Sequence, residues 1–381
     1  MSGATILAAL TLAVWCYLLF GRGWFWLPRR LPEGPEPKRW PSIVAVIPAR
    51  NEVAVVGEAV ATLVAQDYPG RFAVVLADDH SSDGTAAEAV RAARAAGRPD
   101  RLTVVTARSL PPGWTGKLWA LAEGVRKVEA GAPPDLFFFT DADIAHAPGE
   151  LRALVRALEA RACDLASLMV KLRCQSLAER FLVPAFVFFF AMLYPFAWVN
   201  DRRRRTAAAA GGCVLLRRSA YQRIGGFEAI RGALIDDCAL ARAVKQGGGI
   251  VLALAGETRS LRPYPRLADL WAMVARTAYT QLGHSPLLLA GTVLRLGLTF
   301  IAPPSLVFAG GPGGWLAGGA WAGMALAYVP MLRFYRLSPL WAPLLPAVAL
   351  VYLAATLDSA RRHYQGRGGE WKGRVQWQSQ R

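Results

Sequence analysis

The stretch that decides the fold is DLFFFTDAD, residues 135–143. The run LFFFT, residues 136–140, predicts a buried β-strand, and two carboxylates, Asp141 and Asp143, follow at its end. In open α/β sheets, ligands bind beyond the carboxyl ends of the strands. Because carboxylate oxygens suit Mg²⁺ or Mn²⁺, this stretch predicts a strand that ends at a divalent metal site. The alternative is an Asp turn that caps a helix beginning near Pro148.

On both sides of this stretch, short apolar runs alternate with Ala-rich amphipathic segments. The alternation extends over residues 41–263 and predicts βαβ units in one α/β domain with a mostly parallel sheet. The predicted strands include SIVAVIPAR (42–50), RFAVVLADD (71–79) and RLTVVTA (101–107), and the predicted helices cover 52–65, 83–96 and 117–129.

Polar side chains also follow the first two predicted strands. Asp78 and Asp79 end the second strand, and Ser82 or Asp83 is sufficient to cap the helix after it. Capping therefore leaves the carboxylates of Asp78 and Asp79 available to a nucleobase or a ribose. Glu52 ends the first strand within the turn PARNE and suggests a polar ligand there as well.

Two adjacent carboxylates, Asp236 and Asp237, stand at the start of another predicted helix, where the helix dipole favours them. One of them explains the N-cap of that helix. The other is then free to act as a general base toward an acceptor hydroxyl. Lys117, near a different helix N-terminus, offers a cation to an anionic ligand, and a solvated lysine is the alternative interpretation.

The composition points to a membrane protein. The chain has 381 residues, 54% of them hydrophobic, and its 44 Lys and Arg against 27 Asp and Glu give a net charge of +17. This composition excludes a disordered or collagen-like chain, and five scattered cysteines without a CxxC pair exclude a disulfide scaffold. The absence of GxxxxGK[ST], GxGxxG after the first strand, and HExxH removes the simplest ATPase, dehydrogenase and metalloprotease interpretations.

Residues 1–40 are predicted to form a membrane anchor and a basic linker. Residues 4–20 are uncharged and have about the length that crosses a bilayer. Basic residues follow this run but none precedes it, which places the next domain in the cytoplasm. A cleaved signal peptide is the alternative, although the large aromatic residues after the run disfavour it.

Residues 264–360 are predicted to be an interfacial and transmembrane region, followed by a basic tail at 361–381. The candidate spans are 286–308, 315–332 and 340–357. Arg295 and Pro303-Pro304 interrupt the first of them, which could be re-entrant. Three full crossings would leave the basic tail outside, against the charge bias, and the sequence leaves this conflict open.

Several basic residues and histidines remain. Arg202–Arg205 and Arg217-Arg218 are interpreted as interfacial residues that meet anionic headgroups or a polyanionic substrate, with nucleic acid as the disfavoured alternative. His80 and His146 flank the acidic clusters and are expected to be surface residues first and site residues second.

The order of the motifs PARNE, ADDHSSDGT, GK, TDAD and IDD resembles the family-2 glycosyltransferases over about residues 41–249. Longer strings, such as PPGWTGKLWAL, RRRRTAAAAGGCVLLRR and ARTAYTQLGHSPLLLAGT, resemble the hopene-associated glycosyltransferases found with hopanoid biosynthesis genes. The resemblance implies a GT-A type fold with metal-dependent sugar-nucleotide chemistry.

The resemblance also implies roles for individual residues. Asp79, with Glu52 and Asp78 nearby, would contact the nucleotide, and Asp141 and Asp143 would hold the metal and the diphosphate. Asp237 would be the base of an inverting displacement, with Asp236 beside it.

Further residues on the substrate side follow from the same resemblance. Lys117 would lie near the nucleotide or phosphate, and Gly211 and Gly212 would lie in the acceptor-side loop. Arg276 begins RTAYTQLGH (276–284), which stands in place of the QxxRW signature of processive members and therefore favours transfer of a single sugar.

The acids at 141–143 and 236–237 must then meet in one site, although the apolar run 181–199 separates them in the sequence. The chain therefore cannot cross the bilayer an odd number of times between them. Residues 181–199, which contain two prolines, are predicted to be an interfacial, partly inserted element that leads a lipid acceptor to the site.

Together these observations predict a multi-pass protein of the inner membrane with a cytoplasmic catalytic domain. Its expected activity is inverting, non-processive, metal-dependent transfer of a sugar from a nucleotide-diphosphate sugar to a lipid acceptor such as a hopanoid or a related lipid. No nucleic-acid partner is expected. A polyprenyl-phosphate acceptor, a non-catalytic scaffold and a nucleotidyltransferase are the alternatives. The last normally has a Gly- and Arg-rich loop after the first strand, which PARNE lacks.

Overall fold

A mixed β-sheet forms the centre of the chain in the computed structural model, which describes residues 2–367, 370–371 and 374–375. The strands are β1 Ile43–Ala49, β2 Phe72–Asp78, β3 Leu102–Thr106, β4 Leu136–Phe139, β5 Ile144–Ala145, β6 Leu165–Lys171, β7 Val214–Arg217, β8 Ile250–Ser260, β9 Glu370–Trp371 and β10 Arg374–Val375. The first eight form one sheet in the order β3-β2-β1-β4-β7-β6-β8-β5, and β9 and β10 form a separate pair.

The prediction of a mostly parallel sheet is confirmed. Strand β1 pairs in parallel with β2 and β4, β2 with β3, and β6 with β8. The antiparallel members are β7, which lies between β4 and β6, and the two-residue strand β5, which pairs with the end of β8. The sequence pattern did not reveal β5 because two residues are too few to show an alternation.

The α-helices alternate with the first strands as predicted. They are α1 Gly3–Cys16, α2 Val53–Val64, α3 Thr85–Ala95, α4 Gly116–Glu129, α5 Glu150–Ala160, α6 Leu177–Leu193, α7 Phe196–Val199, α8 Arg218–Arg223, α9 Asp236–Lys245, α10 Leu267–Gln281, α11 Pro286–Leu296, α12 Ala302–Leu306, α13 Gly311–Phe334 and α14 Leu345–Tyr364. Helices α2, α3 and α4 agree with the predicted ranges to within two residues at each end.

The two faces of the sheet bury different cores. Ile43 and Ile47 of β1 belong to the core that also contains Leu154 of α5. Val46, on the other face of β1, belongs to a core that extends without interruption to Tyr328 of α13. Because successive strand residues point to opposite faces, one face of the sheet is joined to the apolar helices by continuous packing.

Four helical segments are long and apolar enough to span a membrane. Among the described residues they are Gly3–Gly21, Pro286–Ala309, Gly311–Phe334 and Pro339–Tyr364. They coincide with the four predicted runs. The chain stays helical through Pro303-Pro304, where a π-helical turn at Gly297–Ile301 precedes α12, so the prolines do not break this segment.

The apolar run at 181–199 forms α6 and α7. Glu179, in the first turn of α6, accepts a hydrogen bond from the backbone N–H of Tyr264 (2.7 Å), next to the carboxyl end of β8. At the other end of α6, Arg22, directly after the first candidate span, donates to the carbonyl of Met192 (2.8 Å). Helix α6 therefore runs from the sheet to the end of the first candidate span, and its interfacial location stays a prediction.

The interpretations of two other groups of residues were wrong. Arg217 and Arg218 form ion pairs with Glu159 (2.9 Å) and Glu129 (2.8 Å), so they join elements of the domain. His146 is buried, and its ring contacts Thr140 (2.8 Å) and Glu150 (2.6 Å), whereas His80 is exposed as expected. Much of the predicted basic tail, including Lys372, lies outside the described residues.

Helix α4 approaches β1 closely because position 124 has no side chain. A Cβ atom at Gly124 would overlap Val46 Cγ1, whereas one at Gly131, just beyond the same helix, would lie 3.7 Å from its nearest neighbour. We expect Gly124→Ala to destabilise the domain by about 1–3 kcal/mol through overpacking. Thermal unfolding of the detergent-solubilised protein should show a Tm lower by about 2–12 °C.

The matched control is Gly131→Ala, which should unfold at the wild-type temperature. An unchanged Tm for Gly124→Ala would contradict the close packing of α4 on β1.

Candidate active site

A cavity of about 630 Å³ lies at the carboxyl ends of β1 and β4. The starts of α4 and α9, the residues after β8, helix α10 and the end of α14 complete its walls. Of the residues predicted for the site, the cavity brings together Glu52, Lys117, Asp141, Asp143, Asp236 and Arg276.

Lys117 joins two of the acidic segments. Its Nζ lies 2.9 Å from Asp141 Oδ1 and 3.1 Å from Asp236 Oδ2. Burial lowers the pKa of Lys117, but Asp141, Asp236 and Asp237 outweigh it and hold the pKa above its usual value. The alternative of a solvated lysine is therefore wrong, and segments 95 residues apart in sequence share one ammonium group.

Arg262 joins two other acids of the site, Glu52 and Asp143, and was not predicted from the sequence. Its guanidinium contacts Glu52 Oε1 and Asp143 Oδ2, both at 2.7 Å. Burial lowers the pKa of Arg262, but Asp143 and Glu52 raise it above the ordinary value. No motif marks this arginine, because it follows β8 in an ordinary Arg-Pro sequence and only the sheet topology brings it to β1 and β4.

Asp141 and Asp143 supply the hard oxygen donors that Mg²⁺ and Mn²⁺ require. The alternative of an Asp turn that caps the next helix is wrong, because α5 begins at Glu150 with Gly149 as its N-cap. Burial and the neighbouring Asp141 raise the pKa of Asp143, and Arg262 opposes this rise. Within the part of the chain that the structure describes, no three His, Cys, Asp or Glu residues form a ready metal cluster, so two carboxylates are what the protein itself offers.

Asp237 lies beside the main cavity, in an annex of about 20 Å³ that it shares with Lys117 and Asp141. Its Oδ2 accepts a hydrogen bond from the N–H of Gly211 (2.9 Å), and its Oδ1 accepts one from Cys238 (2.7 Å). Burial, followed by the charge of Asp236, raises the pKa of Asp237 to about 6, although Lys117 opposes this. The annex is large enough for one hydroxyl group.

The expected N-cap role of one of these acids is wrong. Helix α9 has Ile235 as its N-cap, and both Asp236 and Asp237 lie in its first turn. Neither is used as a cap, so both remain available to the site.

Gly211 lines the annex together with Asp237, and three predicted site residues lie outside both the main cavity and the annex. Asp78 was expected to have no structural task, but it accepts hydrogen bonds from Ser81 (2.5 Å from its Oγ). Asp79 is completely buried, with Arg50 3.5 Å away. Gly212 packs against Ile144 rather than facing the cavity. Their roles in substrate binding stay predictions that this geometry does not favour.

The helix that follows Asp83 begins differently from the prediction as well. Its N-cap is Gly84, with a positive φ of 91°, and not Ser82 or Asp83. The Asp83 carboxylate instead accepts hydrogen bonds from the N–H groups of Val53 (3.1 Å) and Thr85 (3.0 Å), at the starts of α2 and α3. Asp83 therefore joins the N-terminus of α2, which directly follows Glu52, to the N-terminus of α3.

Part of the cavity wall carries three arginines and is called the basic wall. Arg276 of α10, together with Arg362 and Arg367 at the end of α14, lines the cavity. Arg362 also pairs with Asp358 at 2.8 Å. Arg362 and Arg367 fall within the predicted basic tail at 361–381. The packing of α14 against α10 brings them to the site. The cavity thus has an acidic side suited to a metal and a basic side suited to phosphate groups.

Comparisons with known proteins agree with this geometry. The model of a family described as "Glycosyltransferase like family 2" matches residues 41–280. The chain belongs to glycosyltransferase-like family 2. The predicted enzyme class is thereby confirmed, and membership of this family disfavours the nucleotidyltransferase and scaffold alternatives.

Two solved structures are similar to this chain, and the first of them shows the same fold. A mannosyltransferase from Pyrobaculum calidifontis, in complex with GDP-Man and Mn²⁺, is 20% identical over 95% of this chain and 99% of its own, with a TM-score of 0.59. A glucosyl-3-phosphoglycerate synthase from Mycobacterium tuberculosis, with Mn²⁺, UDP and glucosyl-3-phosphoglycerate, is 22% identical over 64% and 79% of the two chains, with a TM-score of 0.41. The predicted GT-A fold of this family-2 glycosyltransferase is confirmed. A search of curated proteins found no match.

Arg262 stabilises the acidic side of the site, so its replacement should remove one positive charge from between Glu52 and Asp143. We expect Arg262→Gln to lower the stability of the metal-free glycosyltransferase by about 1–3 kcal/mol at pH 8. The loss should shrink toward pH 5, because protonation of Asp143, whose pKa is already raised, relieves the repulsion. Thermal unfolding at both pH values measures the difference.

Arg259→Gln is the control, since Arg259 and Glu58 form an exposed pair with side chains 59% and 52% accessible. An equal loss for both variants, or a loss independent of pH, would contradict the charge-compensating role of Arg262.

Proposed function

We propose that this chain is a membrane-bound, inverting, non-processive glycosyltransferase that moves one sugar from a nucleotide-diphosphate donor to a lipid acceptor. The observation that carries the proposal is the grouping of Lys117 and Arg262 with four carboxylates in one cavity, with Asp237 in the annex beside it. Asp141 and Asp143 would hold Mg²⁺ or Mn²⁺, which would supply positive charge to the leaving diphosphate.

The donor class is supported by the chemistry of the cavity and by the relatives. The mannosyltransferase from P. calidifontis was solved with GDP-Man and Mn²⁺. In this chain Lys117 and Arg262 are the cations that contact Asp141 and Asp143. When a divalent metal binds these two carboxylates, Lys117 and Arg262 would become available to bind the phosphates of the donor. Glu52, buried at the edge of the cavity, is suited to accept hydrogen bonds from the nucleoside.

Asp237 is the base in this proposal. Its carboxylate removes the proton of an acceptor hydroxyl as that oxygen bonds to the anomeric carbon. The bond from this carbon to the diphosphate oxygen breaks, and the nucleoside diphosphate leaves with the electron pair. Asp236 is the weaker candidate because its Oδ2 is already held in an ion pair with Lys117 at 3.1 Å.

The lipid acceptor is supported by the position of the apolar helices. Helices α10 and α14 line the cavity and pack against each other, where the Trp271 indole donates to Asp358 (2.9 Å) and the Tyr279 N–H donates to Ser359 (3.0 Å). A substrate carried in the bilayer would therefore meet the site along the same helices. A hopanoid or a related lipid alcohol is our first choice, in line with the resemblance to hopene-associated enzymes.

A polyprenyl phosphate is the second candidate, and the basic wall favours it. Arg276, Arg362 and Arg367 bring three guanidinium groups to this wall, although Arg362 also pairs with Asp358. Guanidinium forks match phosphate oxygens. A phosphate acceptor is already ionised, so it would need no general base, and this difference separates the two candidates.

The same packing supports a cytoplasmic tail. Arg362 and Arg367 reach the cavity, and the ring of His363 stacks on His284 at 4.2 Å, just before α11. The end of α14 therefore lies on the side of the catalytic domain, which the charge bias places in the cytoplasm. This position requires an even number of crossings between residues 282 and 364.

Two crossings fit the contacts best. Helix α13 runs parallel to α1, with Gly313 packed on Thr5 and Gly323 on Leu19. Residues 286–309 would thus cross outward and α13 inward. The segment before α14 then turns back along α13, where the Trp321 indole donates to the carbonyl of Pro343 (3.2 Å). We propose that residues 339–364 enter and leave the bilayer on the cytoplasmic side of an inner membrane.

The direct test incubates detergent-solubilised protein and Mn²⁺ or Mg²⁺ with labelled sugar nucleotides and a membrane lipid extract, and identifies labelled lipids by mass spectrometry. A labelled lipid that forms only with metal supports the proposal. Metal-dependent hydrolysis of a donor without a labelled lipid would retain the donor class and reject the lipid acceptor. No turnover of any donor would reject the enzymatic proposal.

The base assignment predicts the effect of Asp237→Asn. We expect kcat to fall by roughly 10²–10⁴-fold while the donor Kd stays near the wild-type value, because only proton transfer is lost. In the wild-type enzyme, kcat/KM should fall as the pH drops through about 6, where Asp237 becomes protonated. Initial rates and donor binding on both proteins measure these changes.

Glu257→Gln is the charge-matched control, because Glu257 is exposed on β8 and should not affect turnover. Normal turnover by Asp237→Asn would show that Asp237 is not the base.

The basic wall gives a prediction that separates the acceptors. For a lipid phosphate, Arg276→Gln combined with Arg367→Gln should raise the acceptor KM by about 10–100-fold and leave the donor KM unchanged. For a lipid alcohol, the acceptor KM should change little, and Asp237→Asn should be the damaging variant. Steady-state rates with polyprenyl phosphate and with the matching alcohol measure the contrast. A rise in the donor KM alone would assign these arginines to the donor.

A further inference from the structure

A second cavity, of about 660 Å³, lies at the end of the sheet opposite to the active site. Its walls include Cys163, just before β6, and Val251, near the start of β8. The linker that follows the N-terminal anchor forms another wall, and it is fixed to the sheet by a hydrogen bond from the N–H of Leu254 to the carbonyl of Arg29 (2.8 Å). This basal cavity therefore lies between the anchor and the catalytic domain.

The basal cavity is strongly basic. Arg29, Arg30, Arg161 and Arg202 line it, and Asp201 is the one acid among its lining residues. The Asp201 carboxylate accepts a hydrogen bond from the N–H of Arg203 (2.9 Å). Across the described part of the chain, no carboxylate lies within 4.0 Å of the four guanidinium groups. Four like charges beside one acid repel each other unless an anion joins them.

The basal cavity also lies at the level where the N-terminal anchor ends. Ala197 and Asn200, which line it, flank Trp198. The guanidinium groups of Arg22 and Arg204 lie 5.2 Å and 5.0 Å from the centre of the Trp198 ring. Arg22 directly follows the first candidate span. A tryptophan and arginines in contact at the end of a span are typical of the headgroup region of a bilayer.

Exposed apolar side chains continue from the anchor toward this cavity. Phe20, Trp24 and Leu27 are 65%, 43% and 41% exposed, and Arg29 and Arg30 follow them in the linker. One short segment thus offers first an apolar surface and then cationic groups. This order matches the order of acyl chain and phosphate in a phospholipid.

We propose that the basal cavity binds the phosphate headgroup of an anionic phospholipid whose acyl chains stay in the bilayer beside the anchor. Guanidinium groups match phosphate oxygens in geometry, and basic residues near a membrane surface each strengthen binding to anionic lipids. The bound lipid would fix the distance between the bilayer and the carboxyl-end cavity where the acceptor arrives. The proposal depends on the membrane anchor and not on the transfer chemistry.

The test uses the full-length protein, delipidated in a neutral detergent, with phosphatidylglycerol and phosphatidylcholine as probes. We expect native mass spectrometry to show at least one retained phosphatidylglycerol, displaced at high salt, and no retained phosphatidylcholine. The variant R29Q/R30Q/R161Q should bind phosphatidylglycerol roughly 10–100-fold more weakly. Its sugar-nucleotide hydrolysis in detergent should stay at the wild-type level, which separates this proposal from the proposed function.

The matched control is R94Q/R98Q/K127Q, which removes the same charge from exposed positions near the opposite edge of the sheet. It should retain wild-type binding, and R29K/R30K/R161K should retain most of it. Equal losses in R29Q/R30Q/R161Q and the control would reduce the effect to net charge and overturn the proposal. Equal competition by free glycerol phosphate would also overturn it, because the site would then bind soluble anions.

Discussion

The site of this family-2 glycosyltransferase depends on the compensation of carboxylate charge. Glu52, the pair Asp141 and Asp143, and Asp236 come from three separate segments, and partial burial makes the repulsion between their charges costly. Lys117 and Arg262 each contact one acid of the Asp141/Asp143 pair and one acid from elsewhere in the chain. The two cations therefore fix how the ends of β1 and β4, helix α9 and the segment after β8 approach one another.

This compensation links the sheet to the apolar helices. Arg262 is followed by Tyr264, whose backbone N–H donates to Glu179 in the first turn of α6. Helix α6 then reaches Arg22, directly after the first candidate span. A continuous core joins the face of the sheet that carries Val46 to α13. The acidic site, helix α6 and the first candidate span are thus parts of one packed unit, and this unit would hold the proposed lipid acceptor at a fixed distance from the carboxylates.

Much of the site was predictable because its residues occur in short, ordered motifs at strand ends. Asp141, Asp143, Asp236 and Lys117 were chosen from sequence, and the structure brings all four together. The prediction was less accurate where local chemistry competes with function. Asp78 was expected to be free for a ligand, but a serine three residues away satisfies it, and this turn is recognisable only when the backbone is seen.

The α/β domain, its mostly parallel sheet and the apolar helical segments could be predicted from residue periodicity alone. The acidic strand ends could also be predicted, because each of them lies within a few adjacent residues of the sequence. The tertiary structure was needed to bring Arg262, Arg362 and Arg367 to the active-site cavity and to place Asp79 and Gly212 away from it. It was also needed to bring four arginines together in the basal cavity, at the opposite end of the sheet. Side chains that meet only through sheet order and helix packing leave no local pattern in a sequence, since the distance between them is set by contacts that span most of the chain.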